Sequence, residues 1–421
     1  MATQAQKNIE LDHLRDLFAR ANLERLSKFE PPSEPEDAPD YPLTQCKIAL
    51  GLLKKWSADN ADSITQAMEA QVFGGHDDIS WPTAFLPFME STAMYLRDWG
   101  LLLEAWKKYR EYKRQNSVDE VELGAIVDLY QSAFDQIREL AQTWGMDFVN
   151  LCDLVTEHPD GHVDWDGPYC GAFVTTAAQQ EKPFIGVAFK GTNPLQFREI
   201  AVDYNYQLVA AQKPFLRGVR VSEGVYTGLF GTFAVPNDPP YENILLQLEA
   251  IAANLPNTAA GNPPVRTHVT GHSLGGSYSS LCYANMLVDS VGGLKLGHLA
   301  MGDEYTYGAP RVGSEGWAVM NDGLVTEAEG QSWRVVNADD LVTRVPPTLL
   351  KPDQTDFYHI DKGMRIFSEK KPEPIPSEIG LPPPPPLPLH TIKDIIEAVI
   401  GAKNHVPNFY YEALVYAIKN T

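Results

Sequence analysis

The sequence predicts a mostly parallel α/β sheet preceded by a helical N-terminal segment. Three observations predict it. From about Asp160 onward, short apolar stretches alternate with helix-type patterns. Within that region "VTGHSLGGSYSS", Val269 to Ser280, places a serine between two glycines straight after an apolar, β-branched run. Before Asp160 the apolar residues recur with helical spacing instead.

Residues 8–29 open with a helical stripe of Leu11, Leu14, Leu17, Phe18 and Leu26. "PPSEPEDAPDYP" (31–42) breaks it, and its prolines and acids read as a solvated linker. Helical patterns return at about 43–57 and 61–72, then at about 83–115 and 118–148. In the last of these Val118, Val121, Ile126, Val127, Tyr130, Phe134, Ile137 and Leu140 share a face. Trp99, Trp106 and Trp144 fall among these helices and are expected in helix-packing core. No internal repeat is visible. The expected division is a helical extension over 1–160 and an α/β domain over 161–421.

In the second region "GAFVTTAAQQEKPFIGVAFKGTN" reads as two strands joined by a polar turn. "VRTHVTGHS", "DEYTYGAP" and "SWRVVNADD" read as further short strands, each followed by a turn or a helix start. "KKPEPIPSEIGLPPPPPLPLH" (370–390) interrupts late; its proline run favours polyproline II, as a stiff surface loop or an SH3-type ligand.

Lys and Arg number 34 against 55 Asp and Glu, a formal charge of −21. Such an acidic chain repels phosphate backbones, which argues against a nucleic-acid partner. The start, "MATQAQKNIELDHLRDLF", lacks a basic and then apolar leader, and no apolar run is long enough to span a bilayer. A cytoplasmic location is expected. The four scattered cysteines (Cys46, Cys152, Cys170, Cys282) are expected as reduced thiols, with a Cys152–Cys170 bridge as the alternative.

The serine carries the chemistry. A bare G-x-S-x-G is a weak signal, but here Val265–Thr270 supplies a strand and Leu274 onward a helix. Gly271 and Gly275 remove the Cβ atoms that a sharp strand–turn–helix would crush. That geometry lifts the Ser273 Oγ to the carboxyl edge of the sheet and aims the Leu274 N–H at any oxyanion. A serine hydroxyl is a poor nucleophile without a histidine base, and the histidine needs a carboxylate to fix its tautomer. In an α/β-hydrolase these follow in the order serine, acid, histidine. Downstream, "VVNADDLVTRVPP" ends a strand in Asp339 and Asp340, and His359, His390 and His405 follow; His298 precedes them and is out of order.

From about residue 165 to the end the chain resembles the class 3 lipases. "GHSLGG" looks like their nucleophile elbow, and "IGVAFKGTN" like their strand ending in Arg-Gly-Ser/Thr, with Lys190 in the arginine place. "YGAPRVGSEGWA" and "NADDLVTRVPP" resemble two further signatures, with Thr343 where the family has proline. Residues 1–160 match nothing in that pattern. The resemblance implies an α/β-hydrolase fold with Ser273, Asp340 and His405 as the triad, and Thr192 with the Leu274 N–H as the oxyanion hole. His390 is the reserve for the base, and His359 does not fit the family's base position.

It further implies carboxylic ester hydrolysis of acylglycerols or related lipid esters through an acyl-enzyme, with no metal or organic cofactor. The substrate would be met at a lipid–water interface if "NPLQFREIAVDYNYQLVAAQ" (193–212) is a moving lid rather than a surface helix. A non-catalytic signalling scaffold on the same fold and an acyltransferase are the rival readings.

Overall fold

The computed structural model describes residues 43–421 apart from 75–77, 118, 153–155, 158–162, 165–168, 177–181, 192–207, 211–217, 232–238, 256–263, 292–296, 329, 347–356, 361 and 382–402. Two of the expected features, the stripe at 8–29 and the linker at 31–42, lie outside these residues, as does the five-proline run.

Eight strands form one sheet, and their spatial order is their sequence order. They are β1 (Met146–Cys152), β2 (Cys170–Thr175), β3 (Phe184–Phe189), β4 (Val265–His272), β5 (Leu299–Tyr307), β6 (Ser332–Asn337), β7 (Gly363–Ile366) and β8 (Glu373–Ile375). β1, β2 and β3 pair antiparallel, β3 through β7 run parallel, and β8 returns antiparallel on β7. With helices on both faces and a serine at the strand-to-helix turn after β4, this is the α/β-hydrolase fold. The central strands read as near-continuous apolar runs because both faces are covered: every residue of β2, β3 and β6 is buried.

Side chains alternate between two cores, one on each face. In β3, Ile185, Val187 and Phe189 enter one core, while Phe184 and Ala188 enter the other. The first core is closed by α7 (Glu223–Phe230), α8 (Pro240–Ala253), α9 (Leu274–Val291) and α10 (Glu315–Glu327), through residues such as Leu229, Ile244, Leu281 and Trp317. The second is closed by the N-terminal helices α1 (Leu43–Asp59), α2 (Ala61–Glu69), α3 (Trp81–Ala93) and α6 (Asp135–Thr143), together with the last helix, α11 (Pro407–Asn420). Trp56, Phe85, Phe88, Trp144, Tyr307 and Leu414 meet there. The N-terminal helices therefore cover one face of the sheet together with α11. α3 is the clearest case: all of it except Pro82 is buried, and its Pro87 carbonyl accepts a hydrogen bond from Thr270 Oγ on β4.

Several boundaries differ from the sequence expectation. The pattern at 83–115 is broken: α3 ends at Ala93, a 3₁₀ turn covers Met94–Leu96, and α4 (Trp99–Arg114) starts anew. Asp98 Oδ1 accepts from the Leu101 N–H and caps that second start. The expected helix at 118–148 is α5 (Glu120–Ser132), α6 and then a strand, β1. Gly145 takes φ +74°, the left-handed conformation that ends a helix, and the chain leaves it extended. The sheet thus begins at Met146, ahead of the expected boundary at 161. Part of the expected lid is also not helical, because Leu208–Ala210 pairs as a strand with Arg220–Ser222; residues 193–207 lie outside the described set. Cys152 and Cys170 face each other across β1 and β2 as thiols, not as a disulfide, and Cys282 is a thiol as well. No described helix is long and apolar enough to cross a membrane.

Candidate active site

The turn after β4 has the strained geometry that the glycines foretell. Ser273 takes φ +59°, between β4 and α9. A Cβ on Gly271 would stand 2.2 Å from the Gly275 carbonyl oxygen, and one on Gly275 would stand 2.3 Å from that of Phe189. The Ser273 N–H donates to the Tyr307 carbonyl at 2.9 Å, which pins the turn to the end of β5. Ser273 is fully buried, and its Oγ makes no hydrogen bond among the described residues. Leu274 opens α9, so its N–H belongs to the first helical turn, where no helix carbonyl is available to it. Thr192 lies outside the described residues.

Asp340 follows β6 through a tight turn in which Ala338 takes φ +46° and the Asp340 N–H donates to Asn337. Its carboxylate is buried and receives three donors. Oδ1 accepts from the Val342 N–H at 2.9 Å; Oδ2 accepts from His405 Nδ1 at 2.8 Å and from the Tyr410 hydroxyl at 2.7 Å. Asp339, one residue earlier, is mostly exposed and faces Arg344 instead. Glycine is required at position 308 by both backbone and space. Its φ is +64°, and a Cβ there would stand 2.8 Å from Asp340 Oδ2 and 3.0 Å from His405 Cε1.

His405 is buried in the 3₁₀ turn Lys403–His405 that precedes α11. With Nδ1 given to Asp340, Nε2 is the ring nitrogen left to face a hydroxyl. Its ring stacks on that of His272, the residue before the serine, at 4.7 Å between centroids. The turn is held by its main chain: Asn337 Nδ2 donates to the Asn404 carbonyl at 2.9 Å, and His272 Nε2 lies 3.0 Å from the His405 carbonyl. Burial, reinforced by the neighbouring His405, holds the His272 pKa well below the ordinary histidine value. Burial, with the Asp340 charge adding to it, pushes the Tyr410 hydroxyl well above its usual pKa, so it remains a donor.

The structure thus brings Ser273, Leu274, Asp340 and His405 to one edge of the sheet. It sends the other histidines elsewhere. His359 is buried 2.5 Å from the Thr343 carbonyl, where its ring nitrogen can donate. His298 is half exposed beside Glu249, and His390 lies outside the described residues. Lys190, in the family's arginine place, donates to the Gly191 carbonyl. Sequence reasoning did not assign roles to Tyr410, Asn337 and His272. The first two carry a readable signal, since Tyr410 lies five residues past His405 and Asn337 three before Asp340. His272 carries only its place beside the serine.

Part of the chain is similar to known lipases. A family model described as Lipase (class 3) matches residues 186–350, which run from within β3 through the Ser273 turn and past Asp340. The secreted mono- and diacylglycerol lipase 1 of Fusarium solani is 37% identical over 120 residues, 27% of this chain and 32% of that protein. The triacylglycerol lipase OBL1 of Arabidopsis thaliana is 23% identical over 317 residues, 66% of this chain and 58% of that protein. The chain therefore spans about a third and somewhat over half the length of these two relatives. Among solved structures, lipase II from Rhizopus niveus is similar at a TM-score of 0.39 and 18% identity, covering 72% of this chain and 87% of that one. A mutant form of MDLA from Penicillium cyclopium is similar at 0.40 and 17%, covering 67% and 85%. The fold assignment rests on the strand order and the serine turn, and residues 186–350 match the class 3 lipase family.

Proposed function

We propose that the chain hydrolyses carboxylic esters of acylglycerols or related lipids through an acyl-enzyme on Ser273. One observation carries the reading: the buried His405–Asp340 pair, with His405 stacked against the residue that precedes a serine in a strained strand-to-helix turn. The lipase names of the two relatives support the substrate class.

In this reading His405 Nε2 takes the proton of Ser273 as Oγ attacks the ester carbonyl. Asp340 keeps Nδ1 protonated and stabilises the imidazolium that forms, and Tyr410 and the Val342 N–H keep Asp340 in place. The Leu274 N–H and Thr192 receive the oxyanion, a service typically worth roughly 10²–10³ in kcat per donor. His405 then gives its proton to the departing alcohol. Water repeats the cycle on the acyl-enzyme and frees the acid. A lipid–water interface is the proposed place of action.

The test is the purified full chain against a panel of p-nitrophenyl esters, triolein and a phospholipid, beside Ser273→Ala. Ester turnover that falls to background in the variant supports the reading. Turnover that survives at more than about a few per cent of wild type removes Ser273 as nucleophile. An inert wild type favours the scaffold, and transfer to an added alcohol in preference to water favours the acyltransferase.

A further inference from the structure

We propose that the N-terminal helical segment supplies a positioning residue to this site: Tyr95, acting through His272, holds the main chain of the His405 turn. The proposal rests on the serine-hydrolase reading above.

Tyr95 sits in the 3₁₀ turn Met94–Leu96, directly after α3 and far outside residues 186–350. Its hydroxyl lies 2.8 Å from His272 Nδ1, and the two rings meet edge to face. The other nitrogen of that ring, Nε2, lies 3.0 Å from the His405 carbonyl. A carbonyl oxygen can only accept, so Nε2 carries the proton. In the neutral ring Nδ1 is then the acceptor, so the Tyr95 hydroxyl donates to it. The two contacts define one tautomer and one direction of donation, from Tyr95 to His272 to the backbone of the base. The burial of His272 keeps its ring neutral, in keeping with that assignment.

Space has been kept for the tyrosine. A Cβ on Gly191 would stand 2.3 Å from the Tyr95 hydroxyl and 2.5 Å from the His272 carbonyl. Glycine at that position lets Tyr95 reach the gap between the end of β3 and the serine turn. The side chain of His405 is anchored by Asp340; its main chain is anchored by His272 and, one residue earlier, by Asn337. A base must stay within about 2.6–3.2 Å of the hydroxyl it deprotonates. A displacement of about 1 Å can cost about 10²-fold in rate.

Removing the Tyr95 hydroxyl leaves the ring in place but takes away the donor to Nδ1. The His405 carbonyl still keeps the proton on Nε2, but the ring loses its hydrogen bond on the other side, and the tether loosens.

The experiment combines kinetics on a soluble p-nitrophenyl ester with ¹⁵N NMR of the histidine rings, using the full chain. Tyr95→Phe is expected to lower kcat about 3- to 10-fold with KM within about two-fold, the size of one hydrogen bond lost in a positioning role. His272→Gln, whose amide N–H can still donate to the carbonyl, should keep more activity than His272→Phe. In the His272→Phe background, Tyr95→Phe should cost nothing further. The NMR spectra should show the Nε2–H tautomer of His272 in wild type and in Tyr95→Phe, with the Nδ1 resonance displaced in the variant as its donor is lost. Unchanged kcat and Nδ1 resonance, a rise in KM at constant kcat, or an additive loss in the double variant would each overturn the proposal. If the wild type hydrolyses no ester, the functional reading falls by itself. The ring spectra still decide the Tyr95–His272 link: an Nδ1 resonance displaced in Tyr95→Phe upholds it, and an unmoved one overturns it.

Discussion

Gly308→Ala is the substitution whose effect can be worked most directly from the geometry. The backbone there has φ +64°, where a Cβ costs about 1–2 kcal/mol. The new methyl would also stand 2.8 Å from Asp340 Oδ2, 2.9 Å from the Tyr410 hydroxyl and 3.0 Å from His405 Cε1. Comfortable non-bonded separations begin near 3.5 Å, so these three groups must each give way by roughly 0.5 Å. They are all buried and mutually hydrogen-bonded, and they move as a set. A shift of that size in the orienting acid and the base should cost about 10- to 100-fold in kcat. The same methyl at Gly380 separates strain from displacement, because φ there is +76° and no heavy atom lies within 4 Å. Steady-state kinetics and urea unfolding of both variants make the comparison. Both should lose about 1–2 kcal/mol of stability to the backbone. Only Gly308→Ala should lose kcat. A folded Gly308→Ala enzyme with wild-type kcat would refute the reasoning, because the atoms it crowds could not then be the ones that orient the reaction.

Other outcomes follow from the same contacts. Tyr410→Phe keeps the ring volume but removes a buried donor from a carboxylate, so urea denaturation should show a loss of about 1.5–3 kcal/mol, with a smaller effect on kcat because Asp340 retains Val342 and His405. Asp340→Asn should lower kcat by about 10⁴ by leaving the imidazole in the wrong tautomer, whereas the exposed Asp339→Asn should stay within about two-fold. Burial of Glu304 raises its pKa to about 7, against the bonds from Ser332 and Ser279. A carboxylic acid with a raised folded pKa binds more protons folded than unfolded, so its contribution falls as pH rises from about 4.5 to 7 and is flat beyond. Glu304→Gln should remove about 3 kcal/mol of that slope, read as the difference between wild-type and variant unfolding free energies at pH 4.5 and pH 8.

The parts of the fold that were legible are those whose signal is local. β4 and the Ser273 turn announce themselves because strand, glycine, serine and helix start are contiguous, and β5 and β6 likewise end in readable turns. β1 was read into a helix because Phe134, Ile137 and Leu140 keep helical spacing up to Trp144; the stop is Gly145, one residue whose left-handed φ outweighs the pattern before it. Asp98 hid a second helix start in the same way. At the site, the serine could be read from its own neighbourhood, but Asp340 over Asp339 and His405 over the other histidines came from family resemblance. Nothing in "GAKNHVPN" says that Asn404 and His405 will be tethered by Asn337 and His272, whose partners lie 67 and 133 residues away. The role of the N-terminal helices was half legible: their apolar faces demand a partner and point to the α/β core, but which face of the sheet they cover shows only in the packing.

The central claim is that Ser273 is the nucleophile, made reactive by His405. Its most direct test is a reactive organophosphonate ester, which transfers its phosphorus to an activated serine, followed by peptide mass mapping of the full chain. The account predicts one phosphonylated residue, Ser273, with labelling lost in Ser273→Ala and strongly slowed in His405→Ala. Labelling of a different residue, or undiminished labelling of Ser273 in His405→Ala, would contradict it.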